Sequence, residues 1–138
     1  MASDRTALLR RVPLFADLER RELEQIASSL RQRPFAAGDT VVTEGRAGVG
    51  FFVIVEGTAK VTVRDEDRAE LGPGDYFGEI ALILGSERTA TVTAETDLVC
   101  LGLTSWEFRP LVEQSGEIAW KLMQSLARKL PAREHRPA

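Results

Sequence analysis

The chain has 138 residues, of which 43% are hydrophobic and 28% are charged, and its formal net charge is −3. This length suits one domain with its own core, and the negative net charge argues against a surface that coats nucleic acid. Cys100 is the only cysteine, which excludes an intrachain disulfide, and its place in the apolar run 98–103 favours a core residue over a nucleophile.

Residues 1–34 are predicted to form the N-terminal helices. A short helix over residues 6–11 should stop near Pro13, and a second should follow Asp17 as its N-cap and end before Pro34. The apolar residues of the second helix fall near helical spacing on one face: Leu18, Leu23, Ile26, Ala27 and Leu30.

Residues 35–103 change to short strands separated by turn residues. Ala59, Val61 and Val63 alternate with polar residues, which is typical of a half-buried strand, and residues 65–67 form a charged hairpin loop. Many short strands at regular spacing predict a jelly-roll-like β-roll, and with its helices the chain is classed as α+β, mainly β.

Residues 104–130 are predicted to form two C-terminal helices. Thr104 and Glu107 satisfy a capping box that begins the first helix, which runs to about Gln114. Ser115 and Gly116 separate it from the second, and Pro131 should end or kink that helix, leaving residues 131–138 as a tail.

The most informative segment is residues 77–92, FGEIALILGSERTATV. Gly78 lets backbone approach a ligand closely, and the Glu79 carboxylate is an acceptor suited to a ribose hydroxyl. A helical turn begun at Glu79 and stopped at Gly85 would point free N–H groups at an anion. Arg88 adds a fixed charge with a planar fork matched to phosphate oxygens.

This segment resembles the phosphate-binding cassette of cyclic-nucleotide-binding domains, as in catabolite-activator-type regulators, cyclic-nucleotide-dependent kinases and gated channels. The match covers Phe77 and the FGEIAL motif, a five-residue spacer, and then RTATV. The order of helices, β-roll and two further helices is also similar to that family. We call residues 77–92 the cassette, and one domain over residues 1–138 is expected.

The resemblance implies a role for each cassette residue. Glu79 would accept a hydrogen bond from the ribose 2′-hydroxyl, while Arg88 and the N–H groups around Ile80 and Ala81 would hold the cyclic phosphate. The alternative for the charged pair is an internal Glu79–Arg88 ion pair, with which a ligand could compete. Thr89 could contact the guanine amino group, contact only phosphate, or serve as a strand residue.

Residues outside the cassette would complete the site. Val61, Val63 and Leu71 resemble the apolar residues that line the base and ribose, although each could equally be ordinary core. The family usually covers the base with a residue near the last helix, and the comparable residue here is Arg133, which could stack on a purine. The alternative is that Arg133 belongs to a frayed basic tail.

We interpret the chain as a cyclic-nucleotide sensor without catalysis or cofactor, whose ligand, cyclic AMP in preference to cyclic GMP, rearranges the C-terminal helices. One alternative is the ligand-binding domain of a catabolite-activator-type transcription regulator that lacks its DNA-binding part, since only eight residues follow Leu130. Another is a jelly-roll metal enzyme, but His135 is the only histidine.

The partners and location follow from the same features. We expect a cyclic nucleotide and an unknown effector protein as partners, and no nucleic acid. No apolar stretch approaches the length that spans a membrane, and the N-terminus lacks the apolar region of a signal peptide, so a cytoplasmic protein without membrane contact is expected. Trp120 would be partly exposed on a short last helix, which predicts a monomer or a weak homodimer.

Overall fold

The computed structural model describes residues 2–48 and 50–128. These residues form two compact units, one made of residues up to Ser28 together with those from Pro110 onward, and the other of Ser29–Arg109. The α-helices are α1 (Ala2–Arg10), α2 (Arg20–Ala27), α3 (Glu79–Leu84), α4 (Ser105–Gln114) and α5 (Gly116–Arg128), with a 3-10 turn at Pro13–Phe15. The strands are β1 (Arg31–Phe35), β2 (Thr40–Val42), β3 (Gly50–Glu56), β4 (Ala59–Val63), β5 (Glu66–Leu71), β6 (Tyr76–Phe77), β7 (Thr91–Ala94) and β8 (Leu98–Thr104).

The Ser29–Arg109 unit contains two four-stranded antiparallel sheets, in the orders β1-β8-β3-β6 and β2-β7-β4-β5. This β-roll, preceded and followed in the chain by helices, confirms the predicted fold class. Whether the whole chain is one domain stays a prediction.

Pro34 lies in a strand, which differs from the helical expectation for residues 1–34. The second helix already ends at Ala27, and Pro34 sits in β1 opposite Val99 of β8. Proline has no N–H to donate, and β1 is an edge strand of its sheet, which is where sheets tolerate proline.

The β4–β5 hairpin turns one residue earlier than expected. Arg64 and Asp65 both adopt positive φ, at 52° and 65°, and Glu66 already pairs with Val63. The predicted loop over residues 65–67 is therefore wrong for Glu66 and Asp67, which belong to β5. Two successive residues at positive φ match the right-handed twist of a two-residue hairpin.

The core of the β-roll lies between its two sheets. Its buried residues come from both sheets: Ile54, Ala59, Val92, Ala94, Leu98 and Cys100. Burial raises the pKa of the Cys100 thiol to about 11, so it is neutral at physiological pH. The interpretation of Cys100 as a core residue is confirmed.

In the unit formed by the terminal segments, α2 begins with a capping box. The Glu19 N–H donates to the Glu22 carboxylate at 2.8 Å, and the Glu19 side chain accepts from the backbone at position 22. The prediction of Asp17 as N-cap is wrong, because the helix begins at Arg20 and its N-cap is Glu19. Asp17 forms an ion pair with Arg128.

One half of the capping box predicted for the first C-terminal helix is present: the Glu107 carboxylate accepts from the Thr104 backbone, while the Thr104 hydroxyl donates to the same oxygen at 2.8 Å, which is not the second bond of such a box. The Thr104 N–H donates to Oε1 of Glu107 at 3.1 Å, and α4 runs over Ser105–Gln114 as expected. Within the described residues, no helix combines the length and the apolar character needed to cross a membrane.

Candidate ligand-binding site

Gly78 connects β6 to α3 in a conformation that favours glycine. Its φ is +93°, and an added Cβ would collide with the carbonyl oxygen of Gly50 and lie 2.7 Å from Nη1 of Arg88. Immediately before it, the Phe77 ring stacks on Phe52 with centroids 5.2 Å apart. The backbone at Gly78 therefore passes close to both the β3 backbone and the Arg88 guanidinium.

The helix α3 is a short helix that both flanking glycines limit. The Leu82 N–H donates to the Gly78 carbonyl at 3.0 Å, and the Gly85 N–H donates to the Ala81 carbonyl at 2.8 Å. Gly85 ends the helix with φ of 63°, as the sequence predicts. Ala81 and Leu82 are buried, whereas Ile80 faces outward with 47% of its surface exposed.

Arg88 is fixed by its own backbone before its side chain does anything. Its N–H donates to the Arg46 carbonyl at 2.8 Å, and its carbonyl accepts from the Gly45 N–H at 2.9 Å. The guanidinium donates through Nη2 to the Gly50 carbonyl at 2.7 Å. Gly45, Arg46 and Gly50 therefore hold both the backbone and the guanidinium of Arg88.

The charge of Arg88 is half-buried, and within the described part of the chain it has no carboxylate partner. Burial lowers the pKa of the guanidinium, which reflects the cost of keeping this charge away from water. The internal Glu79–Arg88 ion pair that the sequence left open is not among the ion pairs of residues 2–48 and 50–128. A partly desolvated cation without a counter-ion favours a site for an anion.

The Glu79 carboxylate makes itself felt at Tyr76. Burial raises the pKa of the Tyr76 phenol, and the charges of Glu79 and Asp75 raise it further. Negative charge thus concentrates at the start of α3.

A cavity of about 240 Å³ lies between the cassette and the neighbouring strands. Eight of the residues singled out in the sequence line it: Val61, Phe77, Gly78, Glu79, Ile80, Ala81, Arg88 and Thr89. We call it the cassette cavity. The lining therefore includes an acidic residue, Glu79, and a basic residue, Arg88, while Val61 supplies apolar surface.

Two other candidates, Val63 and Leu71, do not line this cavity. Val63 is half-buried on β4, and Leu71 packs partly buried against the β-roll core. Arg133 lies outside the described residues. Their contact with a ligand stays a prediction.

Five further residues line the cavity without having been singled out: Val42, Ser86, Glu87, Ala90 and Val92. Four of them lie within the cassette, so its boundaries already contained them. Val42 comes from β2 and reaches the site because it pairs with Val92 of β7. Nothing local in the sequence around Val42 indicates that long-range pairing.

A family model described as "Cyclic nucleotide-binding domain" matches residues 32–115 of the chain. A cyclic nucleotide-gated potassium channel of Mesorhizobium japonicum is 43% identical over 112 residues, which cover 81% of this chain and 31% of the channel. A cAMP-dependent protein kinase regulatory subunit of Yarrowia lipolytica is 42% identical over 92 residues, covering 65% of this chain and 24% of that protein. The chain thus spans less than a third of the length of these curated relatives.

Among solved structures, the fold is similar to the N-terminal domain of a transcriptional regulator from Streptomyces coelicolor A3(2). The TM-score is 0.85 at 32% sequence identity, over 95% of this chain and 97% of that domain. The likeness therefore extends through nearly all of both chains.

Proposed function

This chain belongs to the cyclic nucleotide-binding domain family, and from that premise we propose that it is a sensor that binds cyclic AMP in the cassette cavity. The observation that carries the proposal is the Arg88 guanidinium, which is half-buried beside Gly78 and has no carboxylate partner in the described residues. A bound phosphate would offset the desolvation of that charge.

The proposed roles follow the placement of the side chains around the cavity. Arg88 binds the cyclic phosphate together with the N–H groups of Ile80 and Ala81, and Phe77 with Gly78 shapes the wall behind it. Glu79, which lines the same cavity, accepts from the ribose 2′-hydroxyl.

The base would lie against apolar surface beyond the ribose. Val61 lines the cavity and is the best placed to contact it, with Val63 and Leu71 farther along the same two strands. Arg133 is proposed to cover the purine. Thr89 lines the cavity and is exposed, so its hydroxyl can reach a ligand. We assign it to the phosphate, which is consistent with a preference for cyclic AMP over cyclic GMP.

Ligand binding is proposed to change the position of the C-terminal helices. Leu82 of α3 is only 2% exposed, so any movement of the cassette towards a phosphate must repack this side chain. Spin labels on β4 and on α5 would report the change as a ligand-dependent shift of their distance distribution. Identical distributions with and without cyclic AMP would contradict the rearrangement.

The whole protein is proposed to act on an effector through this module rather than by catalysis. Similarity to the N-terminal domain of a transcriptional regulator favours a second candidate, the ligand-binding part of a regulator of that kind. Attachment to a DNA-binding partner would be read from duplex DNA retardation by the full-length protein, present only with cyclic AMP in that case. Among the described residues, no three His, Cys, Asp or Glu side chains are grouped to hold a metal ion.

Titration calorimetry with cyclic AMP, cyclic GMP and linear 5′-AMP tests the proposed function directly. Cyclic AMP should bind at one site per chain and more tightly than cyclic GMP, and 5′-AMP should bind weakly because its phosphate carries an additional charge and lacks the ring. Binding of neither cyclic nucleotide would contradict the proposal.

A further inference from the structure

We propose that the β-roll unit has a second ligand site, for a small organic anion with an aromatic or other apolar body, of the aromatic carboxylate class. The site is a cavity of about 500 Å³ on the other side of Arg88, within the usual range of roughly 300–1,000 Å³ for small-molecule pockets. It is lined by β1, β2, β3, β8 and the segment after β2. We call it the Arg33 cavity.

The charge of its lining is one-sided. Arg33, Arg46 and Arg88 all line the cavity, and no Asp or Glu of the described residues does. Within residues 2–48 and 50–128, none of the three arginines takes part in an ion pair. Three cations around one concave surface repel one another, and a bound anion would offset that repulsion.

The floor of the cavity is apolar and partly aromatic. The Phe35 and Phe52 rings meet edge to face with centroids 6.3 Å apart, and Val41 and Val42 extend the surface. A planar ring can pack against such a pair, and the guanidinium groups of the lining can bind a carboxylate bidentately. A bare inorganic anion would leave this floor in contact with water.

Gly102 makes the room for this arrangement. A Cβ there would lie 3.2 Å from Cγ of Arg33 and 3.4 Å from the Phe52 ring, tight enough to displace one of them. The stem of Arg33 therefore lies beside Gly102 of β8 and close to the Phe52 ring.

The Arg33 cavity is distinct from the cassette cavity although the two share a wall. Arg88 and Val42 line both, and the stacked Phe52 and Phe77 rings face one cavity each. Arg33 and Arg46 line only the Arg33 cavity, so substitutions there separate the two sites.

The test is a ¹⁵N–¹H correlation titration of the whole chain with 4-phenylbutyrate, with 4-phenylbutanamide as the uncharged match and acetate as the anion without a ring. Saturable shifts should centre on Phe52, Gly102 and Thr104 with 4-phenylbutyrate, and the amide and acetate should bind at least about tenfold more weakly. Shifts centred on Glu79 and Thr89, equal affinity for the amide, or no saturation would each overturn the proposal.

Two double variants of equal charge sharpen the result. Arg33→Gln with Arg46→Gln should weaken 4-phenylbutyrate about tenfold, since two exposed charges are lost. Arg31→Gln with Arg68→Gln removes the same charge from residues outside the cavity and should leave the affinity unchanged. Equal losses in both would show a general electrostatic effect and overturn the site.

Thr43→Phe should fill the cavity mouth and abolish binding while the spectrum keeps its dispersion; unchanged affinity in this variant would also overturn the site. None of these outcomes depends on cyclic nucleotide binding. The second site can thus stand or fall separately from the proposed function.

Discussion

Two glutamates, Glu22 in the unit formed by the terminal segments and Glu79 in the β-roll unit, stand in opposite circumstances. Glu22, with 4% of its side chain exposed, accepts from the Glu19 N–H at 2.8 Å and from Nζ of Lys121 at 2.9 Å. Glu79 has no ion pair within the described residues, and Arg88 donates instead to a backbone carbonyl. A charge satisfied from within stabilises the fold, whereas charges held apart around a cavity favour binding of a ligand.

The sharpest test of the satisfied charge is Glu22→Ala. The variant removes the acceptor at the start of α2 and leaves Lys121 without its shortest partner, so unfolding should become easier by about 2–3 kcal/mol. Urea denaturation measures this difference. Glu24→Ala, which removes only an exposed pair with Arg20 one turn away, should cost less than about 0.5 kcal/mol. Equal losses would break the comparison.

The matching change in the cassette is Glu79→Gln, which should act on binding and not on stability. Cyclic AMP affinity should fall about tenfold, because a charged acceptor for the 2′-hydroxyl is lost, while 2′-deoxy cyclic AMP should lose little. Calorimetry with both nucleotides gives the answer. Equal losses for both ligands would mean that the carboxylate does not contact the ribose.

The satisfied carboxylates should also set the acid limit of stability. Burial alone would raise the pKa of Glu22, but hydrogen bonds from Lys121 and from the Glu19 amide, with the Lys121 charge, hold it below 4.5. The pKa of Glu107 is likewise held below 4.5 by Thr104 and Arg31, against the effect of burial.

Because both pKa values are lower in the folded state, the stabilisation is fully present above the unfolded value near 4.5. It is lost as the pH falls through the folded values. Denaturation between pH 6 and 3 should show this loss, with a shallower slope in Glu22→Gln. An unchanged slope in that variant would show that Glu22 is not the group that titrates.

The smallest expected effect is that of Thr89→Ala. If its hydroxyl contacts the phosphate, cyclic AMP and cyclic GMP should both weaken by about threefold. Competition binding with the two nucleotides distinguishes the roles. A loss confined to cyclic GMP would assign Thr89 to the base.

Local signals were enough to predict parts of the fold and the cassette. The half capping box of Thr104 and Glu107, the glycine stop at Gly85 and the alternating strand β4 depend on a few neighbouring residues. The same holds for the close approach at Gly78, because its reason lies in its own backbone conformation.

Features that depend on distant residues could not be predicted in the same way. Strand β1 is exposed at four of its five positions, so it shows no alternation, and only pairing with β8 makes Pro34 part of a strand. Val42 reaches the cavity through its pairing with Val92, and Lys121 reaches Glu22 across 99 residues of sequence. Such contacts are set by the tertiary structure.

The central claim, that the charge of Arg88 serves a ligand and not the fold, is tested most directly by Arg88→Gln. The free energy of unfolding without ligand and the affinity for cyclic AMP are measured on the same samples, with Arg68→Gln as the control at an exposed position of β5. Stability should be unchanged or higher, because a partly desolvated charge is removed, while affinity should fall about thirtyfold or more. Unchanged affinity together with a marked loss of stability would contradict the account and make Arg88 a structural residue.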